Sequence, residues 1–272
     1  MSELLLGKSV AYESSYNADL LMPVPRAQTR KENGIEQPIA FKGIDIWNAW
    51  ELSWLNQKGK PLVASARFQY SADSLNIIES KSFKLYLNSL NQTKFSSKEE
   101  LLNVLAKDLG KVAGSAVEVT IYGCNDNWPG LDRDHGICLD DIDINVSTYH
   151  LSPDLLKDST SNSQAVISEQ LVSHLFKSNC MVTGQPDWAS IFIDYRGRPI
   201  AHQQLLQYLI SFREHQAFHE PCVERIFTDL MSYCKPESLA VYCRYTRRGG
   251  LDINPYRSTA DDIPSNLRIW RQ

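Results

Sequence analysis

Three short segments of this 272-residue chain hold side chains whose types and spacing suit chemistry: Glu79 to Tyr86 (Glu-Ser-Lys-Ser-Phe-Lys-Leu-Tyr), Ser178 to Trp188, and Phe218 to Pro221. Each falls at a junction between predicted elements, where a rigid scaffold presents reactive groups. In the second, Cys180 lies in a loop with Gly184 and Pro186, and Asp187 closes that loop seven residues on. A thiolate placed there can attack an electrophilic carbon, and a protonated Asp187 can give a proton to the anion that develops. The plainer readings are a structural cysteine and an aspartate that caps the turn before Trp188.

Glu220 precedes Pro221 at a helix start, where an acid ordinarily caps the helix or offsets its dipole. A glutamate can also accept two parallel N–H bonds from a guanine-like base, each charge-assisted bond worth about 1.5 to 3 kcal/mol. Phe218, on the other side of His219, can stack on a flat heterocycle. Glu79, Lys81 and Lys84 read either as a solvated charged turn or, with the hydroxyls of Ser80 and Ser82 at a helix start, as a phosphate cradle. Arg244, Arg247 and Arg248, before Gly249 and Gly250, form a second basic cluster that either reaches another phosphate or protects a strand edge.

Periodicity outlines the elements that must carry these groups. Residues 1 to 40, with Pro23, Pro25 and Pro38, read as an irregular arm. Strand-like patterns run from Phe41 through Trp54 and from Pro61 to Ala72, and helices are predicted over Ser82 to Leu90 and Ser97 to Val112. In the longer helix Ser97 and Glu100 match a capping box, while Leu101, Leu105, Leu109 and Val112 make one core stripe. Val117 to Tyr122 alternates as a strand, and so does Asp141 to Val146.

After a polar stretch from Ser152 to Gln164 the order repeats. Strands are predicted over Gln170 to Lys177 and Trp188 to Arg196, and helices over His202 to Phe212 and Pro221 to Tyr233, with Pro221 at the first helical position. Further strands span Ser238 to Thr246 and a short run after Gly250. Aligning Val63 with Ile191 and Val117 with Leu239 gives offsets of 128 and 122 residues, the mark of an internal duplication. The expected class is α+β: two antiparallel sheet modules, each with a helix pair on one face, over 41–150 and 165–272.

Composition narrows the partners. Lys and Arg number 28 against 32 Asp and Glu, a net charge of -4, which argues against a nucleic-acid-binding surface. With 43% hydrophobic and 22% charged residues the chain has the balance of a globular protein. Its six cysteines form no CxxC pair and suit free thiols in a reducing cytoplasm. Met1 to Lys8 lacks the charge and apolar length of a signal peptide, and no apolar run is long enough to span a membrane. Neither GxGxxG nor GxxxxGK occurs, HExxH is absent, and the histidines and cysteines do not fall at zinc-ligand spacings. Asp140, Asp141 and Asp143 have no EF-hand loop around them, so no metal is expected, although ligands distant in sequence escape such a scan.

Taken together, Glu79 to Tyr86, Cys180 to Asp187 and Phe218-His219-Glu220-Pro221 resemble the motifs of the NADPH-dependent 7-cyano-7-deazaguanine reductases, the nitrile reductases of queuosine biosynthesis, in their long two-module form. The motifs occur in that family's order, and the resemblance runs from about residue 15 to the C-terminus. It implies tandem tunnelling-fold modules, in agreement with the duplication. It also implies that Cys180 adds to the nitrile carbon to give a thioimide, that Asp187 supplies a proton, and that two NADPH hydrides complete the reduction to the 7-aminomethyl base. By the same resemblance Glu79, Ser80, Lys81, Phe218, His219 and Glu220 hold the substrate, and Lys81, Ser82, Arg248 and Gly249 hold NADPH.

The two halves look complementary. The first carries the Glu79 motif, whereas the second carries Cys180 and Glu220 but no Glu-Ser-Lys run before its first helix. A complete site is then expected to need both modules, and a cytoplasmic homodimer is expected because this fold closes its sheets by association. Two alternatives stand beside this reading: a thiol hydrolase of nitriles or amides, in which water resolves the adduct, and a non-catalytic purine- or pterin-binding module with an inert Cys180.

Overall fold

The computed structural model describes residues 13–126, 130–131, 136–160, 165–266 and 268–272. In chain order its elements are β1 (Pro23–Pro25), α1 (Arg26–Glu32), β2 (Lys42–Leu55), β3 (Pro61–Ser71), β4 (Asn76–Ile78), α2 (Ser80–Ser89), α3 (Lys98–Ala113), β5 (Val117–Gly123) and β6 (Ile137–Cys138). There follow β7 (Ile167–Ser173), β8 (Lys177–Asn179), β9 (Pro186–Gly197), α4 (His202–Ser211), α5 (His219–Tyr233), β10 (Ser238–Tyr245) and β11 (Leu251–Ser258). Among the described residues no helix is long and apolar enough to cross a membrane.

The chain divides into two compact units that are not contiguous in sequence and so differ from the expected 41–150 and 165–272. The first takes the described parts of 1–29, 45–129 and 247–253, and the second those of 30–44, 130–246 and 254–272.

In the first unit β5, β3 and β2 lie side by side, with β3 and β5 antiparallel and Phe68 opposite Val119. The period-two pattern of β3 buries Ala64, Ala66, Phe68 and Tyr70 on one face. Phe83, Tyr86, Leu87 and Leu90 from α2, and Leu101, Leu105 and Leu109 from α3, join the same core. Truncating one of those leucines to Ala typically costs about 2 to 5 kcal/mol. Ser97 caps α3 by accepting the Glu100 N–H at 3.1 Å, as its pattern predicts. Gly114 ends the helix at φ 67°, a left-handed cap that an L side chain resists.

The second unit sets β7, β9, β10 and β11 in order, each pair antiparallel, with β6 added parallel to β7. Leu205, Leu206 and Leu209 of α4, and Val223, Ile226, Phe227 and Leu230 of α5, are buried. Both units therefore pair an antiparallel sheet with two helices, the α+β arrangement that tandem tunnelling-fold modules imply.

The duplication extends to hydrogen bonds. Tyr86 donates to Asp108 at 2.8 Å and Tyr208 donates to Asp229 at 2.7 Å, each tying the first helix of a pair to the second. Ser89 bonds the Tyr86 carbonyl, as Ser211 bonds that of Tyr208 at 2.6 Å. These pairs lie 121 to 122 residues apart, the offset read from Val117 and Leu239.

Four expectations are corrected. The arm over residues 1 to 40 contains a 3-10 turn, β1 and α1, and it buries Arg26 and Arg30. Its order comes from distant carboxylates: Arg26 meets Asp45, and Arg30 clamps Glu224 with two bonds of 2.9 Å. Asp141 to Val146 forms no strand, because its backbone has partners other than a ladder: Gln207 donates to the Asn145 carbonyl at 2.9 Å. The strand expected over Gln170 to Lys177 is two, β7 and β8, with β8 crossing to pair with the start of β9. Helix α5 begins at His219, which places Pro221 at its third position. Met1 to Lys8 lies outside the described residues, as does His135.

Candidate functional site

The first unit supplies the start of α2. Glu79 is fully buried, not a solvated turn, and its two carboxylate oxygens accept the Lys81 N–H at 2.9 Å and the Ser82 N–H at 2.6 Å. An ionised cap at a helix N-terminus satisfies donors that the helix cannot and also meets its dipole. Ser82 turns inward: its hydroxyl donates to the Glu79 carbonyl at 2.7 Å and accepts the Met22 N–H at 3.1 Å. Ser80 and Lys81 are half-buried beside it.

Arg248, Gly249, Gly250 and Leu251 form the tight turn into β11, with the Arg248 N–H bonded to the Leu251 carbonyl at 2.9 Å. Gly249 and Gly250 have φ of 57° and 74°, the pair of positive values that a type I′ turn demands. A Cβ on Gly249 would sit 3.2 Å from Cδ of Lys84, so the glycine gives that lysine its place beside the turn. Arg247 lies over the Trp50 ring at 5.4 Å. Arg244 does not join this basic surface: it is buried in the second unit, bonded to Gln272 and to the Tyr242 hydroxyl at 3.0 Å each.

The second unit supplies the thiol. β8 and β9 form a hairpin in which Ser178 faces Asp187, and the Cys180 N–H and carbonyl bond Gln185 at 2.8 Å and Gly184 at 2.9 Å. Opposed residues of an antiparallel pair share a face, so Ser178 and Asp187 lie on one side of the hairpin, and Cys180 directly follows the last β8 residue, Asn179. Gly184, at φ 66°, permits the loop to close so tightly. Cys180 is half-buried and Asp187 is buried.

A backbone clamp brings the third motif to this hairpin. The Asn179 N–H bonds the His215 carbonyl at 2.8 Å, and the Ala217 N–H bonds the Asn179 carbonyl at 3.2 Å. The chain then enters α5 directly, with Phe218 at the N-cap and no side-chain cap. His219 Nε2 lies 3.9 Å from Asp187 Oδ1, and its ring packs edge-on against Tyr245 at 4.0 Å. Glu220, in the first turn, is buried. It does not occupy the capping position that its ordinary reading gives it.

Sequence reasoning missed the surroundings of Asp187. The Cys222 thiol is pushed up to about 12, chiefly by burial; the Ser178 and Tyr245 hydroxyls pull against the rise, and the charges of Asp187 and Glu220 add to it. A thiol held protonated in this way is no nucleophile at neutral pH; Cys222 is buried, whereas Cys180 is half-buried. Burial likewise raises Tyr245 well above its ordinary value. The available signal was alternation in β10, which places Leu239, Val241, Cys243 and Tyr245 on one buried face.

The second unit thus unites Cys180, Asp187, Phe218, His219 and Glu220, while Glu79, Ser80, Lys81, Ser82, Arg248 and Gly249 belong to the first. Residues 12–121 match the family described as nitrile reductase, 7-cyano-7-deazaguanine-reductase N-term, and residues 186–263 match the QueF-like protein family. An NADPH-dependent 7-cyano-7-deazaguanine reductase of Colwellia psychrerythraea strain 34H is 54% identical over 280 residues, spanning 100% of this chain and 97% of the relative. A crystal structure of the archaeosine synthase QueF-Like in the apo form aligns with a TM-score of 0.31 and 15% identity, over 38% of this chain and 100% of that one, a likeness too slight to carry an argument.

Proposed function

This chain belongs to the NADPH-dependent 7-cyano-7-deazaguanine reductase family, and from that membership we infer that it reduces the nitrile of 7-cyano-7-deazaguanine to the 7-aminomethyl base, a step in making queuosine for tRNA. The observation that carries the reading is the half-buried Cys180 in the loop of the hairpin whose second strand bears the buried Asp187, with His219 3.9 Å from that carboxyl.

Cys180 Sγ bonds to the nitrile carbon while a protonated Asp187 gives its proton to the nitrile nitrogen, leaving a thioimide. His219 holds the Asp187 carboxyl in position. The C–S bond later breaks, Cys180 departs as thiolate and Asp187 regains a proton from solvent, which returns both groups to their starting states. Glu220 reads the base by accepting N–H bonds from its guanine-like edge, and Phe218 packs on its plane.

NADPH supplies the hydrides, two per nitrile. Lys81, Arg248 and Gly249 fit its phosphates: the cations offer charge-assisted bonds, and the absent Cβ of Gly249 leaves Lys84 room beside the turn. Ser82, which the resemblance places at the cofactor, also supports the α2 start through its two inward bonds. Glu79 acts by holding that helix start in shape, with Ser80 and Lys81 beside it as substrate contacts. We assign a cytoplasmic homodimer that acts on the free base; six unbridged cysteines suit a reducing compartment.

The test mixes the protein with 7-cyano-7-deazaguanine and NADPH and counts both products. Two NADPH consumed per amine formed is the expected result. Release of an amide or acid without NADPH oxidation would make the protein a hydrolase, and base binding with neither turnover nor an adduct on Cys180 would make it a binding module.

A further inference from the structure

Apart from the residues used above, Cys138 at the end of β6, Asp140 two residues on, and His174 just past β7 converge so that one donor atom from each lies within 4.8 Å of the other two. Parallel pairing of Cys138 with Val172, continued by the Leu139 N–H to the Val172 carbonyl at 2.9 Å, holds the two segments together. Cys138 is exposed, while Asp140 and His174 are half-buried.

The two half-buried donors are held in orientation. Ser173 Oγ donates to Asp140 Oδ1 at 2.7 Å, and the His174 N–H donates to Oδ2 at 2.9 Å. His174 Nδ1 lies 2.8 Å from Ser190 Oγ on β9, which fixes the ring plane and commits that nitrogen. An imidazole whose second nitrogen is bonded to an oxygen is the usual form of a metal-binding histidine.

We propose that Cys138, Asp140 and His174 form a site for a zinc-class divalent cation, with the imidazole donating through Nε2 and a water completing a tetrahedron. The donor set decides the class: thiolate and imidazole favour zinc or cobalt over magnesium and calcium, which take oxygen ligands. Bonds of about 2.0 to 2.3 Å put tetrahedral donors roughly 3.4 Å apart, so the cluster closes by little more than 1 Å around an ion. On binding, the Cys138 thiol releases its proton to solvent and a metal–sulfur bond forms, with no change of oxidation state. The ion then fastens β6 to β7 and β9, and as a ligand of the folded state alone it stabilises that state.

Cobalt(II) titration of the full chain tests this. One equivalent is expected to produce a thiolate-to-cobalt charge-transfer band and intense visible bands in the parent and in Cys180→Ala, and neither in Cys138→Ser. Zinc should displace the cobalt. Ser190→Ala, which removes only the imidazole's support, should weaken binding about 10- to 100-fold. Circular dichroism of the metal-free variants checks their fold; Cys138 is exposed, and Asp140→Asn serves as a second ligand change. No charge-transfer band in the parent, or a band that survives Cys138→Ser or disappears in Cys180→Ala, overturns the proposal.

Discussion

Asp187 Oδ1 lies 3.9 Å from His219 Nε2, which joins the first turn of α5 to the start of β9 at the hairpin that carries Cys180. A movement of about 1 Å would bring the pair within hydrogen-bond reach, where an imidazole can exchange a proton with a carboxyl. Asp187→Asn keeps the shape and removes the acid. We expect turnover to fall about a hundredfold to ten-thousandfold while substrate affinity changes little, as measured by kcat against the dissociation constant. An unchanged kcat would remove Asp187 from the chemistry.

The six cysteines separate by accessibility. Alkylation of the native protein at neutral pH should label Cys124, Cys138 and Cys180 and spare the buried Cys222, Cys234 and Cys243, whose thiols burial holds above their ordinary value. In denaturant all six should react. Cys180→Ala should lose both turnover and the covalent adduct; activity that persisted in this variant would place the nucleophile elsewhere.

Glu220 gives opposite outcomes for its two readings. As a dipole-compensating acid in the first turn of α5, its change to Gln should lower stability by less than about 1 kcal/mol and leave affinity intact. As the base anchor it loses a charge-assisted bond and faces donor with donor, a cost on the order of 2 to 4 kcal/mol, or roughly thirty- to a thousandfold in binding. We expect the second. Calorimetric titration with 7-cyano-7-deazaguanine in a Cys180→Ala background measures it, and affinity within about threefold of the parent would return Glu220 to a structural role.

Glu224 is buried between two guanidinium groups: Arg30 holds it with two bonds of 2.9 Å, and Arg257 donates to it from Nε at 3.1 Å and from the terminal nitrogen at 2.9 Å. Removing the carboxylate leaves buried cations uncompensated. Glu224→Ala should therefore destabilise the fold by about 3 to 5 kcal/mol. Urea unfolding is the measurement, and a loss below about 1 kcal/mol would show that the arginines find other partners.

His215 sets a pH dependence. Burial, and then the nearby Arg225 charge, lowers its pKa below the ordinary imidazole value. As pH falls through about 6.5 the unfolded chain takes up a proton that the folded imidazole refuses, so stability declines from there down to the folded pKa. His215→Gln should flatten this decline below about pH 6.5, as read from urea midpoints. An identical slope in the variant would assign the decline to other groups.

Local patterns in the sequence were enough for the elements that contribute most to both cores. Ser97 with Glu100, the leucine stripe of α3 and the alternation of β3 depend on neighbours a few residues away, so their physics is written locally. The repeat was legible for the same reason, since each half needs the same inward residues at the same spacing. What tertiary structure alone decided involves partners remote along the chain. Alternation in Asp141 to Val146 could not become a strand without an adjacent edge, and Gln207 reaches that segment from α4 instead. Arg26 and Arg30 order the arm only because Asp45 and Glu224 arrive from elsewhere. The Cys180 and Phe218 motifs were visible as separate signals, and the backbone bonds of Asn179 to His215 and Ala217 hold the two segments side by side. A side chain's chemistry is fixed by its type, but its reach to a partner is set by packing, and packing is a property of the folded chain.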